Sequence, residues 1–200
     1  QAYREYAESR KSPVFFSAVV LPSGSLRSMA ASIESLAAQT WNDWEVWIPD
    51  MENMKLLRPG LLTTIENHLK WYDPETSLAE LVNTLCSNTP EGYLLIVEPG
   101  ACVVPVLFAE ASSFLQSHHA DLLYFDEDNI DESGNRHSPW FKPEWSLADL
   151  LGGNFIGSAS FLNKKSVLLS GGIDSAYHQA SLYELFLRIG SIGKAIHLPL

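Results

Sequence analysis

Apolar positions along the chain follow two alternating rhythms. VFFSAVVL (14–21) is an unbroken run rich in β-branched and aromatic residues that stops at Pro22-Ser23-Gly24, the pattern of a buried strand entering a turn. Leu26, Met29, Ala30, Ile33, Leu36 and Ala37 then recur at helical spacing, and Ser25 stands where an N-cap belongs. WEVWIP (44–49) reads as a second strand, ending at Pro49-Asp50. Strand, helix, strand predicts a parallel pair joined by a right-handed crossover.

The alternation continues with a helix over LLTTIENHLK (61–70), a short strand LKWY and a helix SLAELVNTLC (77–86). Next come strand YLLIV, helix VLFAEASSFLQSHH (106–119) and strand DLLYF (121–125). Beyond this the pattern loosens. DEDNIDESGNRHSPWFKPEW, with its Glu-Ser-Gly-Asn turn and two prolines, predicts an irregular hairpin and loop. SLADLL is a short helix, SASFLN a short strand, KKSVLLSGG a helix closed by glycines, and SLYELFLRIG a last amphipathic helix before strand AIHLPL. The whole predicts an α/β fold with a mostly parallel central sheet. Residues 1–13 form a tail, 14–120 a doubly wound half and 121–200 a more irregular half of one domain. IHLPL carries no terminating signal and predicts an excerpt of a longer chain.

Composition narrows the function. With 200 residues and 46% hydrophobic positions, the chain can bury a sizeable core. A formal net charge of −11 repels polyanions, so nucleic acid is not an expected partner, while a phosphate-bearing small ligand needs local help from a cation or backbone amides. Cys86 and Cys102 lack metal-type spacing and read as buried thiols of a reducing, cytoplasmic compartment. No stretch approaches the roughly 18 apolar residues of a membrane span.

Candidate chemistry is sparse. PSGSLRS (22–28) sits where phosphates meet helix N-termini, but it lacks both GxGxxG and the phosphate-loop pattern. Asp50 ends a strand, where an acid can accept hydrogen bonds from a base or ribose. Asp126, Glu127, Asp128, Asp131 and Glu132 are the densest carboxylates; Asp126 and Asp128, two apart, share a face if the strand persists and could hold one hard cation. A solvated hairpin explains the same charges. Adjacent His118 and His119 diverge on a helix and do not suggest a metal pair. Trp140, Phe141 and Trp145 flank Lys142-Pro143, as a sugar-stacking loop or as half-buried packing.

Four stretches together resemble glycosyltransferase family 2, the inverting GT-A enzymes of bacterial surface-polysaccharide assembly. They are VVLPSG…SIESLAAQTWNDWEVWIPD, EGYLLIVEPGACVVP, DLLYFDEDNIDESGNRHSPWFKPEWSLADLLGGNFIG and GGIDSAYHQASLYELFLR. The likeness runs from Val14 to Leu200. It implies a nucleotide-sugar donor against Pro22 and Asp50, and a glycan acceptor near Asp126, Asp128, Trp140 and Trp145. It also implies a manganese or magnesium ion at Glu98, acids for proton transfer at Glu127 and Glu184, and flanking domains in the same chain. At two places the sequence departs from the pattern. The family's Asp-x-Asp-Asp run aligns with Glu98-Pro99-Gly100-Ala101, and the acid before its D-L-x-L-R segment aligns with Leu182. Two readings follow: a transferase using Glu98 with Asp126 or Asp128 for the cation and Glu127 as base, or an inactive domain that binds a nucleotide, a glycan or a partner.

Overall fold

The computed structural model describes residues 14–22, 25–57, 60–89, 91–131 and 133–200. The predicted tail 1–13, Ser23-Gly24 of the first turn and Glu132 lie outside the described residues. Seven strands form the central sheet: β1 (Phe16–Val20), β2 (Trp44–Pro49), β3 (Leu69–Tyr72), β4 (Tyr93–Val97), β5 (Leu122–Phe125), β8 (Ser160–Asn163) and β9 (Ala195–Leu198). Their order is β3-β2-β1-β4-β8-β5-β9. All are parallel except β8, which runs antiparallel to both β4 and β5. β6 (Glu127–Ile130) and β7 (Arg136–Trp140) make a separate antiparallel hairpin with a register shift between Glu127 and Asn129.

The unbroken apolar runs are explained by burial of both sheet faces. Phe16, Ala18 and Val20 of β1 point into one core with Trp44, Val46 and Ile48 of β2, beneath α1 (Leu26–Ala37) and α4 (Leu107–Ser117). Val19, Leu94, Ile96, Leu122 and Tyr124 point into the other, covered by α3 (Leu78–Asn88), α6 (Lys164–Leu169) and α7 (Ser181–Ile192). Each large side chain buried in this way contributes about 1.5–3 kcal/mol of transfer free energy. Ser25 caps α1 as its sequence predicts, accepting from the Ser28 amide at 3.3 Å. α5 (Leu147–Gly152) is capped the same way by Ser146.

One predicted helix is cut short. α2 covers only Leu61–Thr64, where the periodicity predicts a helix to residue 70. Sheet pairing overrides local propensity here: the His68 carbonyl accepts from Val46, the His68 ring stacks on Trp44 at 4.3 Å, and β3 pairs with β2 from Leu69 onward. On the second face Lys164 is buried, its ammonium donating to Ser17 Oγ at 2.6 Å, and Ser17 donates to Glu45 at 2.7 Å.

Candidate functional site

Chain order reverses between β1 and β4, and in open α/β sheets ligands sit at the carboxyl ends of strands beside such a switch. Three sequence candidates come to this edge. Pro22 follows β1, Asp50 follows β2 and Glu98 follows β4, and all three are exposed. The Leu21 amide donates to the Val97 carbonyl at 3.0 Å, and the Asp50 amide to the Tyr72 carbonyl at 2.8 Å, so the strand ends are fixed to one another.

Beyond Glu98 the chain runs to α4 without regular structure, and side chains of α1 and its continuation meet several of its backbone groups. Ser28, Ser32, Ser35 and Gln39 lie on one face of α1 and its continuation. Ser32 Oγ accepts from the Gly100 amide at 2.9 Å and donates to the Glu98 carbonyl at 3.3 Å. Ser35 Oγ accepts from the Val103 amide at 3.1 Å. Gln39 donates to the Val104 carbonyl at 2.8 Å and accepts from the Phe108 amide at 3.1 Å. Gly100 has φ of 95°, in the left-handed region that a side chain disfavours.

The far side of this segment lines a cleft of about 700 Å³ together with Asp126, Glu127, Asp128, Arg136 and Trp140. The D-E-D block is thus brought to a concave surface, but each acid already has a partner. Asp126 accepts from the Lys142 amide and from His197 Nε2, both at 2.8 Å. Glu127 pairs with Lys142 at 3.3 Å, and Asp128 with Arg136 at 2.5 Å. The Lys142 side chain is fully buried and also donates to the Ile156 carbonyl. Burial pushes its ammonium below the usual lysine range, while Glu127 and Asp126 pull it back. Tyr124 donates to the Pro143 carbonyl at 2.7 Å and stacks on His197, so the F-K-P loop is fastened to β5 from both ends. Sequence reasoning missed Lys142, His197 and the serine stripe. The stripe shows only as a second period of serines on a helix otherwise read for its apolar face.

The strand that would put Asp126 and Asp128 on one face does not persist. β5 ends at Phe125 and β6 begins at Glu127, and the two carboxylates bind different partners. Glu184 is paired within its own helix. Arg188 holds both its oxygens at 2.6 Å and also donates to the Ser170 and Gly172 carbonyls. Leu182 packs against the second core. Trp145 is half-buried: its ring lies against Gly190, where a Cβ would fall 2.3 Å from it, and beside Phe155 and Tyr124. Trp140, 43% exposed, does line the cleft. Cys86 is buried as expected, but Cys102 is exposed on the cleft wall, because the irregular segment carries it outside the sheet. His118 binds the Phe114 carbonyl and His119 pairs with Asp121, so the two rings diverge. Among the described residues no helix is long and apolar enough to cross a membrane.

The solved structure of S. aureus TarS 1-349 with UDP superposes on 92% of this chain and 58% of its own, with a TM-score of 0.69 at 14% sequence identity. The fold is that of the GT-A glycosyltransferases. The same TarS fragment with UDP-GlcNAc matches 92% of the chain and 56% of its own at a TM-score of 0.66 and 16% identity. In sequence, the O-antigen biosynthesis protein RfbC of Myxococcus xanthus is 26% identical over 180 residues, 86% of this chain. The uncharacterized protein y4gI of Sinorhizobium fredii is 24% identical over 162 residues, 78% of this chain. The chain spans only 14% and 18% of the lengths of these two relatives. No family model matches it.

Proposed function

We propose that the chain is a nucleotide-sugar-binding GT-A domain of the family 2 type, acting in bacterial glycan assembly, in which recognition persists and transfer has fallen to a residual rate. One observation carries this reading. At the position where the resemblance places the proton acceptor stands Leu182, packed against the second core, and neighbouring Glu184 is paired with Arg188. The UDP and UDP-GlcNAc complexes of TarS and the O-antigen role in the name of RfbC support the ligand class and the setting. In this reading the nucleotide lies against Pro22 and Asp50, and the glycan lies in the cleft beside Asp126, Asp128 and Trp140. The domain works in the cytoplasm, and flanking domains of a longer chain carry the rest of the activity.

The residues present suit a divalent cation that arrives with its ligand. Glu98 is the one acid left in the aligned run, and magnesium can be held by one or two carboxylates plus substrate phosphates. When bound, the ion would neutralise the diphosphate as a Lewis acid. Loss of a general base costs about 10²–10⁴ in rate, which sets the scale of the residual transfer. Calorimetric titration with UDP, UDP-sugars, GDP-sugars and dTDP-sugars, with manganese and with chelator, tests the reading. Binding of at least one class is expected, together with little or no sugar release. Efficient transfer by the unmodified domain overturns it.

A second reading keeps catalysis and rests on Glu127, whose side chain is 34% exposed in the cleft beside the buried Lys142 ammonium. It requires that Glu127→Gln abolish transfer while leaving nucleotide binding intact.

A further inference from the structure

The polar stripe of α1 does more than complete the helix. We propose that Ser32, Ser35 and Gln39 are positioning residues that hold the segment from Glu98 to Val104 as a fixed wall shared by the nucleotide edge and the cleft. The proposal rests on the reading of that edge as a nucleotide site. Along this segment the chain has left the sheet, and no strand supplies partners for its amides and carbonyls. The helix supplies them instead, at positions 32, 35 and 39, which return to one face every one or two turns. Ser32 is fully buried; its hydroxyl accepts from the Gly100 amide in the turn that displays Glu98, and the Glu98 and Ser28 carbonyls, both at 3.3 Å, share its single proton. Helix α1 begins beside Pro22 at one subsite and ends fastened to the wall of the other. A displaced Glu98 would leave the strand end without changing the strand. The hydroxyls therefore act on ligand binding through backbone geometry, without touching the ligand.

Cys102, on the wall itself, reports its order. Cys86 is buried and Cys102 exposed, so a maleimide reads Cys102, whose own thiol is pushed up by burial and by Glu34. Ser112 provides a matched control, because its buried Oγ has no hydrogen-bond partner among the described residues and lies on α4. The full 200-residue chain is compared as wild type, Ser32→Ala, Ser35→Ala, Ser35→Thr and Ser112→Ala. Labelling rates and affinity for UDP are both measured.

Ser32→Ala leaves the Gly100 amide only the Ser28 carbonyl and the Glu98 carbonyl only the Ala101 amide, and loss of the side-chain bonds should raise the Cys102 labelling rate and weaken UDP by about fivefold. Ser35→Ala should behave similarly, Ser35→Thr should recover, and Ser112→Ala should match wild type. Equal UDP affinity in wild type and Ser32→Ala overturns the positioning role, as does an equal response in Ser112→Ala. If wild type binds no nucleotide, the nucleotide reading falls, and the labelling rates alone then decide: a rise in Ser32→Ala and Ser35→Ala upholds the fixed wall, and unchanged rates overturn it.

Discussion

Gly100 stands where the resemblance aligns an acid, and its backbone conformation bears on what a side chain there would cost. Its φ of 95° leaves space for a Cβ, the nearest atom being Ser28 Cβ at 3.7 Å, so the obstacle to an acid there is torsional. Gly100→Asp should destabilise the chain by about 1–2 kcal/mol, seen as a lower Tm, and should not make UDP binding manganese-dependent. A manganese-dependent gain in affinity would show that a carboxylate at this position is enough to recruit the ion. Glu184 makes the complementary case. Its double hydrogen bond to Arg188 raises the arginine pKa and ties α7 to the glycine turn after α6. Glu184→Gln should cost about 1–2 kcal/mol of stability while nucleotide affinity stays unchanged. A selective loss of sugar transfer with Tm intact would return Glu184 to the chemistry.

At the level of elements, most strands and helices were legible because their apolar periods are clean. β1, α1, β2, α3, β4, α4 and β5 fall within a residue or two of where the pattern puts them. The exceptions share a cause, a tertiary partner outweighing a local signal. Residues 65–68 leave their helical pattern to bring His68 against Trp44. For Trp145 the sequence leaves sugar stacking and half-buried packing open, and the half-buried ring lies in the notch at Gly190 of α7. No sequence period could announce that the Lys142 ammonium is buried, because burial depends on Ile156 and Glu127 converging from other elements. The Trp145 contact is open to test. Gly190→Ala forces a methyl into the indole and should lower stability by about 1–3 kcal/mol in thermal unfolding. If Trp145 were instead a mobile sugar platform, that variant would keep its Tm and change only glycan binding.

The whole molecule carries a marked pH signature on its alkaline side. Tyr72, Tyr93 and Tyr124 have phenols raised by burial above the ordinary 10.0, and Cys86 is raised from 9.0. The native state keeps these protons when the unfolded chain has lost them, so stability falls as pH rises above 9 and more steeply above 10. Lys142 and Lys164 act in the opposite sense. Burial lowers both, so the native state sheds their protons first and gains stability as pH approaches 10.5, after which nothing further is gained. The expected profile, from Tm measured between pH 7 and 11, declines only slightly up to about pH 10 and then drops sharply. A flat profile to pH 11 would mean the phenols ionise in place. The sheet itself has a temporal consequence. Its fifth strand in spatial order, β8, is formed by residues 160–163 and lies between β4 and β5, which precede it in the chain. During synthesis the edge of β4 therefore waits, unpaired, for more than sixty residues to emerge. A ribosome-bound chain halted before residue 160 should therefore be protease-sensitive along that open edge and become protected there once residues 160–163 emerge.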